Sequence, residues 1–411
     1  MIPNSRFQVP EPAARPGENA DFSAFQIPPA GIVVRPEVDV DPALIRDLPY
    51  ALIRVLDEEG QAVGPWDPKL DADQLKSALR AMMLTRAFDD RMVRMQRQGK
   101  TSFYMKCTGE EAVAVGATLA LEPDDMCFPT YRQQGILITR SRDWSLVDMM
   151  NQIYSNSHDR LKGRQMPIMY SSRKDGFFSI SGNLGTQYTQ AVGWAMAAAS
   201  DNSSSISAAW IGEGATAEGD FHNALTFAAV YRAPVILNIV NNQWAISSFS
   251  GIAGGLGTTF AARGLAYGLP ALRVDGNDYL AVHAVTAWAA QRARLGLGAT
   301  VIELFTYRAE GHSTSDDPTR YRALDEAQSW PLGDPVARLK NHLIRIGDWS
   351  EAQQDALQQE VEAQVREAAK QAEANGTLKD GDRLPPETMF EDVYKDMPPH
   401  IAAQRDQWRE E

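Results

Sequence analysis

Residues 205–211 (SISAAWI), 212–214 (GEG), 234–240 (PVILNIV) and 241–242 (NN) are the stretches that decide the fold. The two apolar runs predict buried strands, and the glycines at 212 and 214 let the chain turn sharply where the first strand ends. Between the runs, residues 215–231 place apolar side chains at helical spacing. The sequence therefore predicts a strand, loop, helix, strand unit.

Polar groups follow both predicted strands. Glu213 comes directly after the first strand and Asn242 after the second, and ligands of such units bind beyond the carboxyl ends of the strands. Magnesium takes about six oxygen ligands, often shared between protein groups, water and phosphate. Glu213 and Asn242 can each supply one oxygen, and the main-chain carbonyl of Trp244 is the simplest third. Either motif alone would be an ordinary turn or loop, but together they predict a site that holds a diphosphate through magnesium.

The remaining sequence alternates strands and helices, which is typical of an α/β fold with a mainly parallel sheet flanked by helices. Predicted helices cover 73–98, 110–121, 186–200 and 279–294, and predicted strands cover 126–129, 272–275 and 300–307. This α/β region spans 71–330. Residues 1–70 are rich in proline and predict an extended arm that packs on partner subunits. Residues 331–411 predict a helical region, in which a capping box at 350–353 starts a solvated helix that runs to 374.

Composition narrows the class of protein. The chain has 411 residues, of which 44% are hydrophobic and 23% charged, enough for a sizeable core. A formal net charge of −13 argues against a nucleic-acid partner. The two cysteines have neither metal-site spacing nor disulfide density, and no segment has the length and apolar character of a membrane span or a signal core. These features predict an enzyme subunit of the cytoplasm.

Several stretches carry a family resemblance in the order in which that family has them. They are 99–111 (GKTSFYMKCTGEE), 130–132 (TYR), 163–167 (GRQMP), 179–193, 273–278 (RVDGND) and 307–317 (YRAEGHSTSDD). With the diphosphate unit, they resemble the α subunits of the thiamine-dependent E1 component of 2-oxo acid dehydrogenase complexes. Glu213 between two glycines and the run Gln165-Met166-Pro167 resemble the branched-chain members most. Val240 departs from the charged residue that relatives often have.

The resemblance implies a thiamine diphosphate-binding fold, with thiamine diphosphate and Mg²⁺ as cofactors. It places Glu213, Asn242 and the Trp244 carbonyl on the magnesium. An arginine such as Arg132 suits a diphosphate because its planar fork donates two hydrogen bonds. The cofactor contacts that it implies are Tyr131, Arg132, Gly182, Leu184, Gly212, Glu213, Gly214, Ala215, Asn242, Arg308 and His312.

Other roles also follow from the resemblance. His312 lies in a polar loop after a strand and is the catalytic candidate at the mouth of the site, a role that a near-neutral pKa would suit. Ser181, Thr186 and Gln187 are candidates for a potassium site, although Gly182 and Asn183 depart from relatives there. Without the resemblance, Ser181 or Thr186 would be a helix N-cap. Phe103 and Tyr104 suit a branched aliphatic substrate, or else belong to the core.

Thiamine chemistry needs a glutamate hydrogen-bonded to the aminopyrimidine ring, and no residue of this chain matches that glutamate. In the family it comes from the β subunit, so the resemblance implies an α2β2 heterotetramer that transfers an acyl group to lipoamide on the E2 acyltransferase. The expected substrates are branched-chain 2-oxo acids. Two alternatives remain open: the α subunit of a pyruvate or acetoin dehydrogenase E1, and a non-catalytic scaffold subunit.

Overall fold

A computed structural model describes residues 10–23 and 25–410, so the first nine residues of the predicted arm lie outside it. The seven strands of this part of the chain are β1 (Met126–Phe128), β2 (Ser207–Gly212), β3 (Val235–Asn241), β4 (Trp244–Ala245), β5 (Ser248–Phe249), β6 (Ala271–Asp275) and β7 (Thr300–Phe305). Five of them form one sheet in the order β1-β2-β3-β7-β6, and all its neighbours are parallel. β4 and β5 form a small antiparallel hairpin. The predicted parallel sheet is confirmed.

Helices cover both faces of this sheet and extend beyond it. The ten α-helices of the described residues are α1 (Ala72–Arg97), α2 (Glu111–Ala120), α3 (Gln134–Arg140), α4 (Leu146–Tyr154), α5 (Thr186–Ser200), α6 (Gly219–Val230), α7 (Tyr279–Arg294), α8 (Pro335–Arg345), α9 (Glu351–Ala374) and α10 (Pro399–Glu410). Because helices pack on both faces, β3 (VILNIVN) is buried at every residue, and its sequence is mainly apolar, interrupted by Asn238, instead of alternating. None of these helices is both long and apolar enough to span a membrane.

The unit that decides the fold forms as predicted, with one difference. Gly212 of β2 lies opposite Val240 of β3 in parallel register, so both strands end at the same edge of the sheet. The predicted helix over 215–231 is divided: a short 3-10 turn covers Gly214–Ala217, and α6 begins only at Gly219. Glu218 between them has an extended backbone, which ends the first turn. This break keeps the chain after Glu213 close to the strand end.

The helix α9 corrects a prediction. We expected a solvated helix, but one of its sides is buried against α1 and α4. The buried side chains on that side are Leu357, Val361, Val365, Ala368, Ala369 and Ala372. The Ser350 side chain accepts a hydrogen bond from the amide of Gln353 as the capping sequence predicts. The many charged residues of α9 occupy its other faces, which is why its composition resembled that of a fully exposed helix.

The arm is extended, and part of it packs on this chain's own core. Ile53 extends the sheet by a parallel bridge to Val274, donating to the Arg273 carbonyl at 2.9 Å and accepting from the Asp275 amide at 2.9 Å. Five large apolar side chains in the described part of the arm are exposed: Phe25, Ile32, Val34, Leu44 and Tyr50. Packing of the arm on partner subunits therefore concerns those exposed residues and stays a prediction, as does the division of the chain at 70 and 330.

Candidate functional site

Three neighbouring strand ends meet where the sequence places its polar residues. The amide of Glu213, after β2, donates to the Val240 carbonyl of β3 at 3.2 Å. The amide of Arg308, after β7, donates to the Asn242 carbonyl at 3.1 Å. The parallel order β2-β3-β7 therefore brings Glu213, Asn242 and Arg308 together although they are far apart in sequence.

Glu213 is buried without a counterion of its own. Its side chain is 1% exposed, and within the described ranges its Oε1 atom has no hydrogen-bond partner. Burial, together with the nearby Glu110, raises the pKa of Glu213 to about 7, although Arg308 opposes the rise. A buried carboxylate oxygen without a partner is costly. A bound cation would supply the missing partner, so the residue fits the predicted magnesium ligand.

Asn242 is held by a residue that the sequence analysis did not single out. Its Nδ2 donates to Glu110 Oε1 at 2.9 Å, and its Oδ1 accepts from the Trp244 amide at 3.3 Å. Burial raises the pKa of Glu110, whereas Arg132 and Arg308 lower it. From the sequence, Glu110 is predicted only as the first residue of the helix over 110–121. Two consecutive glutamates before an apolar helix were the signal that could have identified it.

The Trp244 carbonyl, the third predicted magnesium ligand, accepts a hydrogen bond from Arg308 Nη1 at 2.9 Å. Its indole is buried, packs near Phe249 and Tyr321, and donates to Glu326 Oε1 at 3.1 Å. A carbonyl oxygen has two lone pairs, so one remains for a metal. The described part of the chain contains no group of three or more His, Cys, Asp and Glu side chains that could hold a metal. The predicted set combines one carboxylate, one amide and one carbonyl, and it stays a prediction.

The two arginines at the site differ in how many donors remain free. Arg132 donates to the carbonyls of Lys106 at 2.5 Å and His312 at 2.6 Å, and its Nε lies 3.9 Å from Glu110. Arg132 therefore keeps N–H groups for a phosphate. Burial and the neighbouring Arg132 lower the pKa of Arg308 to about 10. All five N–H donors of Arg308 point at protein acceptors: the carbonyls of Trp244, Ile246 and Glu310, the Tyr321 hydroxyl and His312 Nδ1. Its predicted contact with the diphosphate would thus act mainly through charge.

His312 is half-buried between these arginines. Its Nδ1 lies 3.1 Å from Arg132 Nη2 and 3.4 Å from Arg308 Nη1. A guanidinium can only donate, so Nδ1 accepts and the proton of the neutral ring is on Nε2. Burial, followed by the charges of Arg132 and Arg308, lowers the pKa of His312 to about 3. In this arrangement the pKa of His312 thus lies below the near-neutral range that would suit the predicted role.

Replacement of His312 by glutamine is expected to reduce the acid sensitivity of the protein. The unfolded histidine binds a proton below about pH 6.5, but the folded one does so only near pH 3. Acidification between these values thus favours unfolding by up to about 1.4 kcal/mol per pH unit. His312→Gln keeps an acceptor for Arg132 and cannot titrate. Thermal unfolding of both proteins should be measured at pH 5, 6 and 7. The Tm of the variant minus the Tm of the wild type is expected to increase as the pH falls. A difference in Tm that does not vary with pH would contradict the lowered pKa of His312.

The loop before α5 contains the candidate potassium ligands. Thr186 donates its hydroxyl to the Asn183 carbonyl at 2.7 Å, and Ser181 Oγ accepts from the Asn183 amide at 3.1 Å. Gln187 donates to the Trp210 carbonyl at 2.8 Å, and its buried Oε1 has no partner in the ranges described. The N-cap of α5 is Gly185, which makes no side-chain bond. The alternative role of Ser181 or Thr186 as the helix cap is therefore wrong.

The small residues of the predicted cofactor contacts fall into two groups. A Cβ atom on Gly214 would lie 2.5 Å from the Ala245 side chain, so the hairpin β4-β5 requires glycine there. A Cβ atom on Gly212 or Gly182 would meet no protein atom within 4 Å. These two positions therefore leave room for a ligand. Ala215 is buried in the turn after Glu213, and Leu184 is 55% exposed beside Gly182.

The two predicted substrate residues differ in their placement. Tyr104 is fully buried, and its hydroxyl donates to Asp89 Oδ1 at 2.6 Å. Its backbone also exchanges hydrogen bonds with Thr314, two residues after His312. Phe103 is only partly buried against the core. The placement of Tyr104 favours the alternative in which it is a core residue, and Phe103 is the better candidate for a substrate contact.

Comparison with known proteins agrees with the geometry. Residues 79–380 match the family described as "Dehydrogenase E1 component", and 3–43 match "2-oxoisovalerate dehydrogenase E1 alpha subunit N terminal". The 2-oxoisovalerate dehydrogenase subunit alpha of Pseudomonas aeruginosa is 61% identical over 400 residues, which cover 97% of each chain. The mitochondrial protein of the same name from Mus musculus is 40% identical over 369 residues, covering 89% of this chain and 81% of the relative. That of Caenorhabditis elegans is 39% identical over 344 residues, covering 83% and 77%.

Proposed function

Because the chain belongs to the dehydrogenase E1 component family, we propose that it is the α subunit of a thiamine diphosphate-dependent dehydrogenase of branched-chain 2-oxo acids. The observation that carries this proposal is the 61% identity to a 2-oxoisovalerate dehydrogenase α subunit over 97% of both chains. The reaction would be oxidative decarboxylation of the 2-oxo acid and reductive transfer of the acyl group to lipoamide on an E2 acyltransferase.

When bound, thiamine diphosphate would supply the nucleophilic carbon that makes loss of carbon dioxide from a 2-oxo acid feasible. Glu213, Asn242 and the Trp244 carbonyl would bind Mg²⁺, and Arg132 would donate to the diphosphate. Tyr131, Gly182, Leu184, Gly212, Gly214 and Ala215 would line the cofactor. The buried, unpartnered oxygen of Glu213 supports the metal assignment, and the exposed Leu184 supports a role in which an apolar side chain meets the cofactor ring.

His312 would act at the mouth of this site. With Nδ1 fixed by Arg132, the neutral imidazole offers its Nε2–H as a hydrogen-bond donor. A diphosphate close to the two arginines would offset their positive charges, which would raise the pKa of His312 towards the range useful for proton transfer. Phe103 would contact the aliphatic part of the substrate. Ser181, Thr186 and Gln187 remain candidates for a potassium site, and the unpartnered Oε1 of Gln187 supports that assignment.

The active assembly would be an α2β2 heterotetramer in the cytoplasm, with an E1 β subunit supplying the glutamate that the aminopyrimidine ring needs. The exposed apolar residues of the arm support a partner surface. The name of the Pseudomonas relative, a subunit alpha, also supports a second kind of chain.

The substrate class can be tested by co-expressing the chain with its β partner and assaying decarboxylation of 3-methyl-2-oxobutanoate, 4-methyl-2-oxopentanoate and pyruvate. We expect kcat/KM for the branched acids to exceed that for pyruvate by about tenfold or more, because each extra methyl group buried in an apolar pocket is worth about 10- to 200-fold. Omission of thiamine diphosphate is the control and should abolish all three activities. A preference for pyruvate would support the alternative of a pyruvate or acetoin dehydrogenase.

A further inference from the structure

Four buried charged side chains meet at the strand ends, and one of them has no role in the proposed function. Glu110, Glu213, Arg132 and Arg308 are each at most 4% exposed. Arg132, Arg308 and Glu213 are assigned to the diphosphate and its metal. Glu110, the residue before α2, is the fourth, and it contacts both Asn242 and Arg132.

The contacts of Glu110 use only one of its oxygens. Oε1 accepts from Asn242 Nδ2 at 2.9 Å and lies 3.9 Å from Arg132 Nε. Oε2 is buried and has no hydrogen-bond partner in the part of the chain that the structure describes. Two buried carboxylates, Glu110 and Glu213, thus each present an unpartnered oxygen in the same small region.

The two carboxylates balance the two guanidiniums. A site with only Arg132 and Arg308 would attract any diphosphate, with or without a metal. Glu110 and Glu213, in their ionised forms, oppose that attraction, so a bare diphosphate would meet negative charge in a buried environment where charges are weakly screened. A diphosphate that carries a divalent cation brings positive charge to the same carboxylates.

We propose that Glu110 is a specificity-determining residue, which makes the site accept the metal-bound form of the diphosphate and reject the metal-free form. It also fixes the Asn242 amide so that Nδ2 faces Glu110 and Oδ1 remains available as a ligand, as outer-shell partners of metal ligands commonly do. This inference rests on the proposed function, because it concerns the cofactor site.

The test is the affinity for thiamine diphosphate with saturating Mg²⁺ and with excess EDTA, measured by calorimetry on the tetramer co-expressed with its β partner. Glu110→Gln keeps an acceptor for Asn242 but removes the charge. Its Kd without metal is expected to fall by about ten- to a hundredfold. Its Kd with Mg²⁺ should change less. The ratio of the Kd without metal to the Kd with Mg²⁺ is therefore expected to be smaller in the variant than in the wild type. Inorganic pyrophosphate, which lacks the thiamine ring, should show the same decrease in this ratio of Kd values.

Glu111→Gln is the matched control. Glu111 is the next residue and is also buried, but it pairs with Arg86 at 2.7 Å and accepts from the Gly109 amide at 2.9 Å. Glu111→Gln should keep the wild-type ratio of the Kd without metal to the Kd with Mg²⁺. If Glu110→Gln does not assemble, Glu110→Ala tests the same point, with tighter metal-free binding and weaker Mg²⁺-dependent binding expected.

Two other results would contradict the role proposed for Glu110. A wild-type ratio in the Glu110 variants, with metal-dependent binding intact in the wild type, would overturn this inference and leave the proposed function standing. Absence of thiamine diphosphate binding by the wild-type tetramer even with Mg²⁺ would instead overturn the proposed function, and the inference with it.

Discussion

The α chain purified without its β partner is expected to decarboxylate branched-chain 2-oxo acids at least about a hundredfold more slowly than the tetramer, because a positioned acid or base contributes about 10²- to 10⁴-fold. The two carboxylates at the strand ends, Glu110 and Glu213, are buried where the diphosphate and metal are predicted. Glu213 is assigned to the metal and Glu110 holds Asn242, so the glutamate that the aminopyrimidine ring needs is expected from another chain.

The measurement is carbon dioxide release by a fixed amount of α chain titrated with purified β chain. Activity should rise with added β and reach a plateau at equal numbers of the two chains. Recovery of full decarboxylation activity at the plateau is also the control, because it shows that the isolated α chain was folded. A near-native rate from the α chain alone would contradict the prediction that the site is completed by another subunit.

Replacement of Glu213 by alanine is expected to weaken Mg²⁺-dependent binding of thiamine diphosphate by more than about a hundredfold, the upper range for loss of an outer-shell partner. Glu213 would be a direct ligand, so the loss should be larger. Complex activity should fall in parallel. Calorimetric titration of cofactor into the tetramer, with and without Mg²⁺, measures the first effect, and decarboxylation at saturating substrate measures the second.

Glu218→Ala is the control for this variant, because Glu218 lies five residues further along the same connection and is exposed. It should bind cofactor as the wild type does. Unchanged affinity and activity in Glu213→Ala would show that the buried carboxylate does not hold the metal. That result would favour the alternative in which this chain is a non-catalytic scaffold subunit.

The sheet was predictable because its strands are buried on both faces. Strands such as β2 and β3 are mainly apolar runs, and the glycines around Glu213 mark where the first of them ends. The helices α3 and α4 were not predicted. α4 starts with a capping box, in which Ser145 accepts from the Asp148 amide and Asp148 accepts from the Ser145 amide. The spacing of Ser145 and Asp148 is thus a local sequence signal for the start of α4.

The candidate site was predictable only in part, because several of its properties depend on distant contacts. Glu213 and Asn242 follow adjacent strands, so parallel pairing alone places them together. The hydrogen bond between Glu110 and Asn242 joins residues 132 positions apart, and no local sequence pattern predicts it. The low pKa of His312 depends on its burial and on Arg132, which is 180 positions away. Residue types thus indicated the ligands, whereas the charges around them required the packed structure.

The pairing of the arm with the sheet has a consequence for the order of events during synthesis. Besides bonds within the arm, residues 53–56 bond to distant segments: Ile53 to β6, and the amides of Val55 and Leu56 to Asp278. The same region is fixed from α8, where Arg338 contacts Asp275 at 2.7 Å. At a translation rate of about 5 to 20 residues per second, roughly 15 to 60 s pass between emergence of the arm and of Arg338. This segment of the arm therefore leaves the ribosome well before the distant residues that bond to it, and its apolar side chains are available to chaperones in the meantime.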